Sequence, residues 1–399
     1  MDVSKSTRID NNSNNNDNQD AVSPPFVSIT EGSITMKYPA DEESTVFYNP
    51  VQVQNRDLSI LMLCLYSERR AVRAAVQTKR NQLRASNQGK SNDDPNRMTG
   101  EQIAQALRDY EATLDPSQVV VTGTATTTNT AAAAAAGGGG GGGGEARFNG
   151  DEGKKIVCST NGMSILDALA ASGLRSMRYW KEVPNIKHVT INDLDPAAVE
   201  RAHWNIQSNE LSNVLLSNNS SNDNNNNDSD NNDGKLPWQR PHGIRVQNGD
   251  AKIEMYLSQR PQALTTLTNP TVQNKLHPQW DVIDLDPYGS AAPFLDAAVQ
   301  AIEHGGMLNV TCTDMAALGG SHPETCYGRY ASMPIPNARY LQEVALRILL
   351  GNIATTAAKY GRTIKPILSV GMNFYIRVFV EVYNDKAGVS EMKYYIIII

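Results

Sequence analysis

The sequence lacks any pair of cysteines at metal-binding or redox spacing. Its four cysteines (Cys64, Cys158, Cys312 and Cys326) lie far apart, which fits neither a zinc ribbon nor a disulfide scaffold and reads as free thiols in a reducing compartment. No apolar run approaches the ~18 residues of a membrane span, and the final I-I-I-I is far too short. The start has no apolar core of the kind that secretory signals carry, and its Asp content argues against a mitochondrial presequence. A soluble intracellular protein with no metal site, membrane association or protein partner is therefore expected. An excess of positive charge is also missing, since the formal net charge is −6. Residues 217–234 hold four Asp and no Lys or Arg, and residues 1–24 hold four Asp against Lys5 and Arg8. These two stretches account for the whole imbalance. The remainder is neutral, so binding nucleic acid would require a local basic patch.

Much of the chain has too little apolar surface to offset chain entropy. Residues 1–25 are Asn- and Asp-rich, and 217–234 read S-N-N-S-S-N-D-N-N-N-N-D-S-D-N-N-D-G. A third segment, 86–153, contains six alanines followed by eight glycines. All three are expected to be disordered insertions or tails. What remains, 26–85 as an N-terminal extension packing on the core and 154–384 as the main domain, can still bury one sizeable core. Residues 385–399 read as a tail.

From Ser164 onward, short apolar runs alternate with helical patterns. Strands are expected at Ser164–Asp167, Val189–Asn192, Ile244–Val246, Asp281–Leu285 and Met307–Cys312. Helices are expected at Leu174–Glu182, Pro196 to about Asn209, Ala251–Leu257, Ala291–His304 and Asn337–Tyr360. Pro196 suits a first-turn position, where its missing N–H costs nothing. The rhythm then changes to two strands, Ile364–Val370 and Phe374–Tyr383, separated only by Gly371–Asn373. Five βα units closed by a hairpin predict a doubly wound, mostly parallel seven-stranded α/β sheet with one antiparallel strand. Upstream, Gly32–Tyr38 and Thr45–Tyr48 read as short strands, and a helix is expected from Asp57 to about Ala85. Its Arg69, Arg73 and Arg80 fit a solvated face and a phosphate-contacting face equally well.

Ligands bind such sheets at the carboxyl ends of the strands. The first strand leads into D-A-L-A-A-S-G-L-R (167–175), whose single glycine lacks the G-x-G-x-x-G of a pyrophosphate cradle. That argues against a nicotinamide oxidoreductase and suits a cofactor without pyrophosphate. S-adenosylmethionine carries an ammonium, a carboxylate and a sulfonium. Asp167 is placed to receive the ammonium, directly or through water, and Arg175 to pair the carboxylate. Gly173 would let the cofactor approach the backbone. Asp193, at the second strand's end, is placed for the ribose hydroxyls, and Asp250, in N-G-D-A after the third, for the adenine amine.

The fourth strand runs into Asp286-Pro287-Tyr288-Gly289. Asp-Pro after a buried strand also makes a good turn, but the loop has a specific chemical use. An exocyclic base amine is a poor nucleophile because its lone pair is delocalised into the ring. A carboxylate and a neighbouring backbone carbonyl can accept its two N–H bonds and aim the nitrogen at a methyl donor. Tyr288 can stack on the base, which must leave its own stack to reach the loop. Asp286 is then the candidate acceptor of the proton.

With these residues in view, the sequence resembles the tRNA (guanine-26-N2)-dimethyltransferase family. The resemblance rests on E-G-S-I-T-M-K-Y-P (31–39), F-Y-N-P-V-Q-V-Q-N-R-D-L-S (47–59), L-D-A-L-A-A-S-G-L-R-S-M-R-Y (166–179), N-D-L-D-P (192–196), G-D-A (249–251), D-L-D-P-Y-G (284–289) and L-N-V-T-C-T-D-M-A-A-L (308–318). It implies that Arg56, Arg175, Asp193, Asp250 and Ala251 bind S-adenosylmethionine and that Asp286 is the acid/base. It also implies that tRNA is the substrate, that N2-methyl- and N2,N2-dimethylguanosine are the products, and that the nucleus is the compartment, ahead of the mitochondrion or cytoplasm. Family members continue into a C-terminal domain that helps hold tRNA, so the resemblance further implies a chain lacking that domain. Two other functions fit the residues: an rRNA-guanine or adenine N6 methyltransferase, since D-P-Y-G suits any exocyclic amine, and a non-catalytic RNA-binding relic.

Overall fold

The computed structural model describes residues 26–39, 48–90, 94–114, 119–121, 156–158, 162–216, 240–259 and 277–396. The Asn-rich stretches 1–25 and 217–234 and the Ala/Gly run lie outside the described residues. Two compact units emerge, one of Met1–Ile60, Ser164–Glu182 and His188–Ile399, the other of Leu61–Met163 and Val183–Lys187.

The first unit opens with a hairpin, β1 (Phe26–Glu31) and β2 (Ile34–Pro39), paired antiparallel. The expected strand Gly32–Tyr38 thus corresponds to β2. Gly32 adopts φ +57° at the turn, and a Cβ there would collide with the Arg178 and Glu182 side chains. Both facts require glycine at a bend. Of the expected strand Thr45–Tyr48, only Tyr48 is described, and it is not extended into a strand.

The main sheet consists of β3 (Met163–Asp167), β4 (Ile186–Asp193), β5 (Gly243–Asn248), β6 (Trp280–Leu285), β7 (Ile302–Cys312), β8 (Arg362–Met372) and β9 (Tyr375–Asn384). Its order is β8-β9-β7-β6-β3-β4-β5. β9 runs antiparallel to both neighbours, whereas β6 pairs in parallel with β3 and β7, and β4 with β5. This is the doubly wound, mostly parallel seven-stranded sheet with a C-terminal hairpin that the apolar runs predicted. Every residue of β3 and β6 is buried, Asp167, Asp281 and Asp284 included, as in strands covered on both faces. Trp280, Ile283, Leu308, Val310, Ile348, Leu349 and Val378 belong to one core cluster, each full burial contributing about 1.5–3 kcal/mol. The chain leaves β3 toward β4 and β5 on one side and returns to β6 and β7 on the other. The strand order thus reverses between β3 and β6, which opens a crevice at their carboxyl ends.

Local chemistry starts the helices. In α4 (Pro196–Ser208), Pro196 opens the first turn as the sequence predicts, and the Asp195 side chain caps it by accepting from Ala197 N at 3.0 Å. Asp250 caps α5 (Ala251–Tyr256) by accepting from Lys252 N at 2.7 Å. The others flanking the sheet are α3 (Leu174–Glu182), α6 (Ala292–Ala301), α7 (Pro323–Tyr330) and α8 (Leu341–Ala358). The expected tail after residue 384 instead forms α9 (Lys386–Ile396), with Asp385 accepting from Gly388 N at 2.9 Å at its start.

Helix α1 spans Val53–Asn87, four residues earlier than expected because a 3-10 turn at Pro50–Gln52 leads into it. The boundary between the two units cuts it after Ile60. In the second unit, α2 (Gly100–Thr113) occupies part of the segment 86–153 that composition marked as disordered. Its sequence has what a helix needs. Thr99 Oγ1 accepts from Gln102 N at 3.2 Å, and Gln102 Oε1 accepts from Thr99 N at 2.7 Å, a reciprocal capping box. Tyr110 packs against a small cluster of Ala71, Ala75 and Leu114. Asn87 exchanges two hydrogen bonds with the backbone of Met98, which pins the connection between α1 and α2. Among the described residues no helix is long and apolar enough to cross a membrane.

Candidate functional site

The loop after β3 is held from both sides. Ala168 N donates to Asp284 O at 3.1 Å and Ala170 N to Asn192 O at 2.9 Å. Buried Asn192 adds a side-chain staple, donating to Ala168 O at 2.9 Å and to Gly249 O at 3.0 Å while accepting from Gln247 Nε2. The loops at the ends of β3 and β5 are therefore fixed by one amide. Ala171 adopts φ +48°, an uncommon conformation for a residue with a Cβ. Its N–H donates to Asp193 Oδ2 at 2.8 Å, and Asp193 Oδ1 accepts from Asp195 N at 2.9 Å. Each carboxylate oxygen of half-buried Asp193 keeps a second acceptor site. Gly173 adopts φ +76°, where a side chain is strained, and a Cβ there would lie a tight 3.3 Å from both Ile191 and Ala202. Its glycine thus serves the packing of α3 on β4 and α4. Asp250 and buried Ala251 sit where β5 turns into α5. Asp167, Asp193 and Asp250 stand at or just beyond the ends of β3, β4 and β5, in the order the sequence predicts.

Asp286, Pro287 and Tyr288 follow β6. Gly289, at φ +77°, accepts from Thr313 N and donates to Thr313 Oγ1, both at 2.8 Å, which anchors the loop to the end of β7. The Tyr288 ring projects with 77% of its surface exposed. The Asp286 carboxylate is mostly covered and accepts from Arg175 Nη2. Arg175 was expected at the cofactor's carboxylate; the structure seats it beneath Asp286. Its Nη1 also donates to Asn55 Oδ1 at 3.2 Å and Ser59 Oγ at 3.1 Å, and lies 3.6 Å from Asp284 Oδ2.

Below this pair lies a fully buried charge network. Arg377 Nη2 donates to Asp284 Oδ2 at 2.7 Å and to Ser59 Oγ at 2.8 Å, and its Nη1 donates to Thr311 Oγ1. Asp284 also accepts from Tyr179 and from Asn309 Nδ2. Asp167 accepts from Ser176 Oγ at 2.6 Å and is only 1% exposed. Burial, reinforced by the Asp284 charge, raises the Asp167 carboxyl to about 7. Burial acts the same way on Asp284, but Arg377 and Arg175 outweigh it and hold that carboxyl down at about 2. The ends of β3 and β6 thus carry a protonatable and a permanently charged acid side by side.

This contrast has a testable consequence. An Asp whose folded pKa is raised stabilises the fold fully below its unfolded value of about 3.9 and loses that contribution as pH rises through about 7. Asp167→Asn mimics the protonated form. Its stability relative to the parent should increase by roughly 2–3 kcal/mol between about pH 5 and pH 8, read by denaturant unfolding at each pH. A constant difference would remove the buried Asp167 charge from the account.

Arg56 points elsewhere. Its guanidinium forms a bidentate pair with Glu31 at 2.6 and 2.5 Å and lies 5.3 Å from the Tyr48 ring centroid. Arg178 reaches the same Glu31 at 2.8 Å. Burial would raise the Glu31 carboxyl, but the two arginines override it and lower it. Arg69, Arg73 and Arg80 belong to the second unit. Sequence reading missed Asn55, Ser59, Asn192, Asp284 and Arg377. A signal existed for two of them, since Asp284 in W-D-V-I-D-L and Arg377 in Y-I-R-V-F-V are charges inside apolar strands, where burial demands a partner. Asn55 and Ser59 share a helix face by their i,i+4 spacing.

Residues 27–228 and 246–399 match the family model described as N2,N2-dimethylguanosine tRNA methyltransferase. The chain belongs to this family. Among its relatives, the tRNA (guanine(26)-N(2))-dimethyltransferase of Mus musculus is 35% identical over 367 residues, which is 92% of this chain and 42% of the mouse protein. The Schizosaccharomyces pombe protein of the same name is 33% identical over 363 residues, 90% of this chain and 50% of its own length. The chain spans about half the length of the curated relatives it matches. A solved complex of Trm1 from Pyrococcus horikoshii with S-adenosyl-L-methionine aligns with a TM-score of 0.53 at 23% identity, covering 92% of this chain and 63% of the other. That likeness shows a common fold. Within the family model's match fall all the residues placed above at the strand ends, the charge network and the D-P-Y-G loop.

Proposed function

We propose that this chain transfers methyl groups from S-adenosylmethionine to the exocyclic N2 of a guanosine in tRNA, giving N2-methyl- and N2,N2-dimethylguanosine, in the nucleus. The observation that carries the reading is the D-P-Y-G loop itself. It stands beside the point where the strand order reverses, with an exposed ring at Tyr288 and a carboxylate at Asp286 held by Arg175. The names of the relatives agree with it.

The residues present fit the cofactor. Asp193 has free acceptor sites for ribose hydroxyls and Asp250 has them for an adenine amine. The loop 168–173 is built of small residues apart from Leu169 and is held by Asn192 and Asp193. Asp167 would face the ammonium from beneath this loop, while Arg175 holds Asp286 and Arg56 is committed to Glu31. When bound, the cofactor supplies an electrophilic methyl group on its sulfonium. Tyr288 stacks on the flipped base. Asp286 and the Pro287 carbonyl accept the two N2 hydrogens, which raises electron density on nitrogen and orients it. Asp286 takes up the proton that N2 loses on alkylation.

The deciding experiment incubates the chain with bulk tRNA and methyl-labelled cofactor and then analyses the nucleosides. Label in N2-methylguanosine and its dimethyl form is the expected result. Label in N6-methyladenosine would name the other amine, and no transfer would leave an RNA-binding relic. A second expectation concerns Asp193→Ala. A charged hydrogen-bonding contact contributes about 1.5–3 kcal/mol, so cofactor affinity should fall about 10- to 150-fold. Unchanged affinity by calorimetry, in a variant that still folds, would remove Asp193 from the site.

A further inference from the structure

The second unit contains a cleft that the proposed reaction does not use. It has a volume of about 400 Å³ and lies between the C-terminal half of α1 and the face of α2. Val76, Ala104 and Leu107 supply apolar wall, and Arg80, Arg84 and Arg108 bring three guanidinium groups to it, against the single carboxylate of Glu111. Arg80 donates to Gln77 Oε1 at 3.3 Å and Arg108 to Gln105 Oε1 at 2.6 Å, both neutral amides. Among the described residues no ion pair joins any of the three to a carboxylate. Three like charges facing one cleft repel one another unless an anion sits among them. On the α1 side the surrounding charge has the same sign, because residues 69–90 hold seven Lys and Arg and no Asp or Glu, whereas α2 carries Glu101, Asp109 and Glu111 against Arg108. Arg84 and Arg108 are exposed, so the cleft is open at its rim and suits a polymer passing over it rather than an enclosed small anion.

We infer that this cleft seats a stretch of the tRNA sugar–phosphate backbone, with phosphates on Arg80, Arg84 and Arg108 and a sugar or base edge against Val76 and Leu107. The inference rests on the tRNA reading above and adds a binding surface to it, built by a helix that composition did not reveal. Guanidinium forks match phosphate oxygens in pairs, and each such contact releases a counterion, so the cleft should be visible in salt dependence.

The test measures binding of bulk tRNA to the full chain at several salt concentrations, with cofactor calorimetry and thermal melting as controls for folding. The triple variant Arg80→Gln/Arg84→Gln/Arg108→Gln should bind at least tenfold more weakly, and its log–log salt slope should fall by about 2–3, near 0.7–0.9 for each phosphate contact. Ala104→Trp fills the cleft without changing charge and should also weaken binding several-fold. A folded triple variant with parental affinity and slope overturns the proposal. So does a weakened triple variant alongside an unaffected Ala104→Trp, because the arginines would then act only through their long-range field. A parent chain that does not bind tRNA overturns it as well. Binding that responds as expected in a chain that transfers no methyl group would instead overturn the reading of the reaction and leave the cleft standing.

Discussion

Replacing Asp286 with alanine is expected to abolish methyl transfer while cofactor affinity changes little. A general base contributes roughly 10²–10⁴-fold and positioning adds to that, so turnover should drop by at least two orders of magnitude. The proposed cofactor contacts of Asp193 and Asp250 lie on other strands and survive the change. Asp286→Ala also deprives the buried Arg175 of a partner, so a folding check belongs with it. Asp286→Asn is the sharper variant. Its amide oxygen can accept from Arg175 and from the substrate amine but cannot take a proton. An Asn variant that retains most activity would show that Asp286 works by orientation. One as inactive as Ala would show that proton uptake matters. Should both methylate tRNA at the parental rate in single-turnover assays, D-P-Y-G is a turn and nothing more.

The largest stability effect is expected at Arg377. Both it and Asp284 are fully buried, and their pairing at 2.7 Å is shared with Ser59, Thr311, Tyr179 and Asn309. Removing one partner of such a pair costs about 3–5 kcal/mol, because the other charge stays buried without compensation. Arg377→Leu should therefore lower unfolding stability by that amount. Adding Asp284→Leu should recover part of the loss, since a buried pair replaced by apolar side chains is often near neutral. Denaturant unfolding of both singles and the double gives the coupling directly. A single-variant loss below about 1 kcal/mol, in the range of exposed ion pairs, would mean that the network is hydrated in solution.

Part of the candidate site is legible in the sequence. Asp167, Asp193 and Asp250 were legible as candidates because acids recur in order at the ends of three successive apolar strands. Asp286, Pro287 and Tyr288 stood out for the chemistry they offer an amine. The second layer stayed hidden. Ser59 and Arg377 are 318 residues apart, and Asn55 and Arg175 are 120 apart. No local pattern connects such positions, and a lone Asn or Ser on a helix usually faces water. The capping box of α2 was present in the sequence at Thr99 and Gln102, but the surrounding low-complexity composition masked it. The expected strand Gly32–Tyr38 corresponds to the second strand of the hairpin, and the first, Phe26–Glu31, was not assigned.

Sequence by itself determined the alternation of strands and helices, the helix starts at Pro196 and Ala251, and the closing hairpin. Each depends on interactions within a few residues: burial periodicity, a cap, a proline at the first turn. Tertiary structure decided which charges meet. The placement of β6 between β3 and β7, with β9 beyond, brings Asp284 under Arg377 and Arg175. It turns Arg175 toward Asp286, and it separates the pKa values of two neighbouring aspartates. Burial sets the sign and size of those effects. A charge's neighbours across a sheet follow from strand order rather than from its position in the chain.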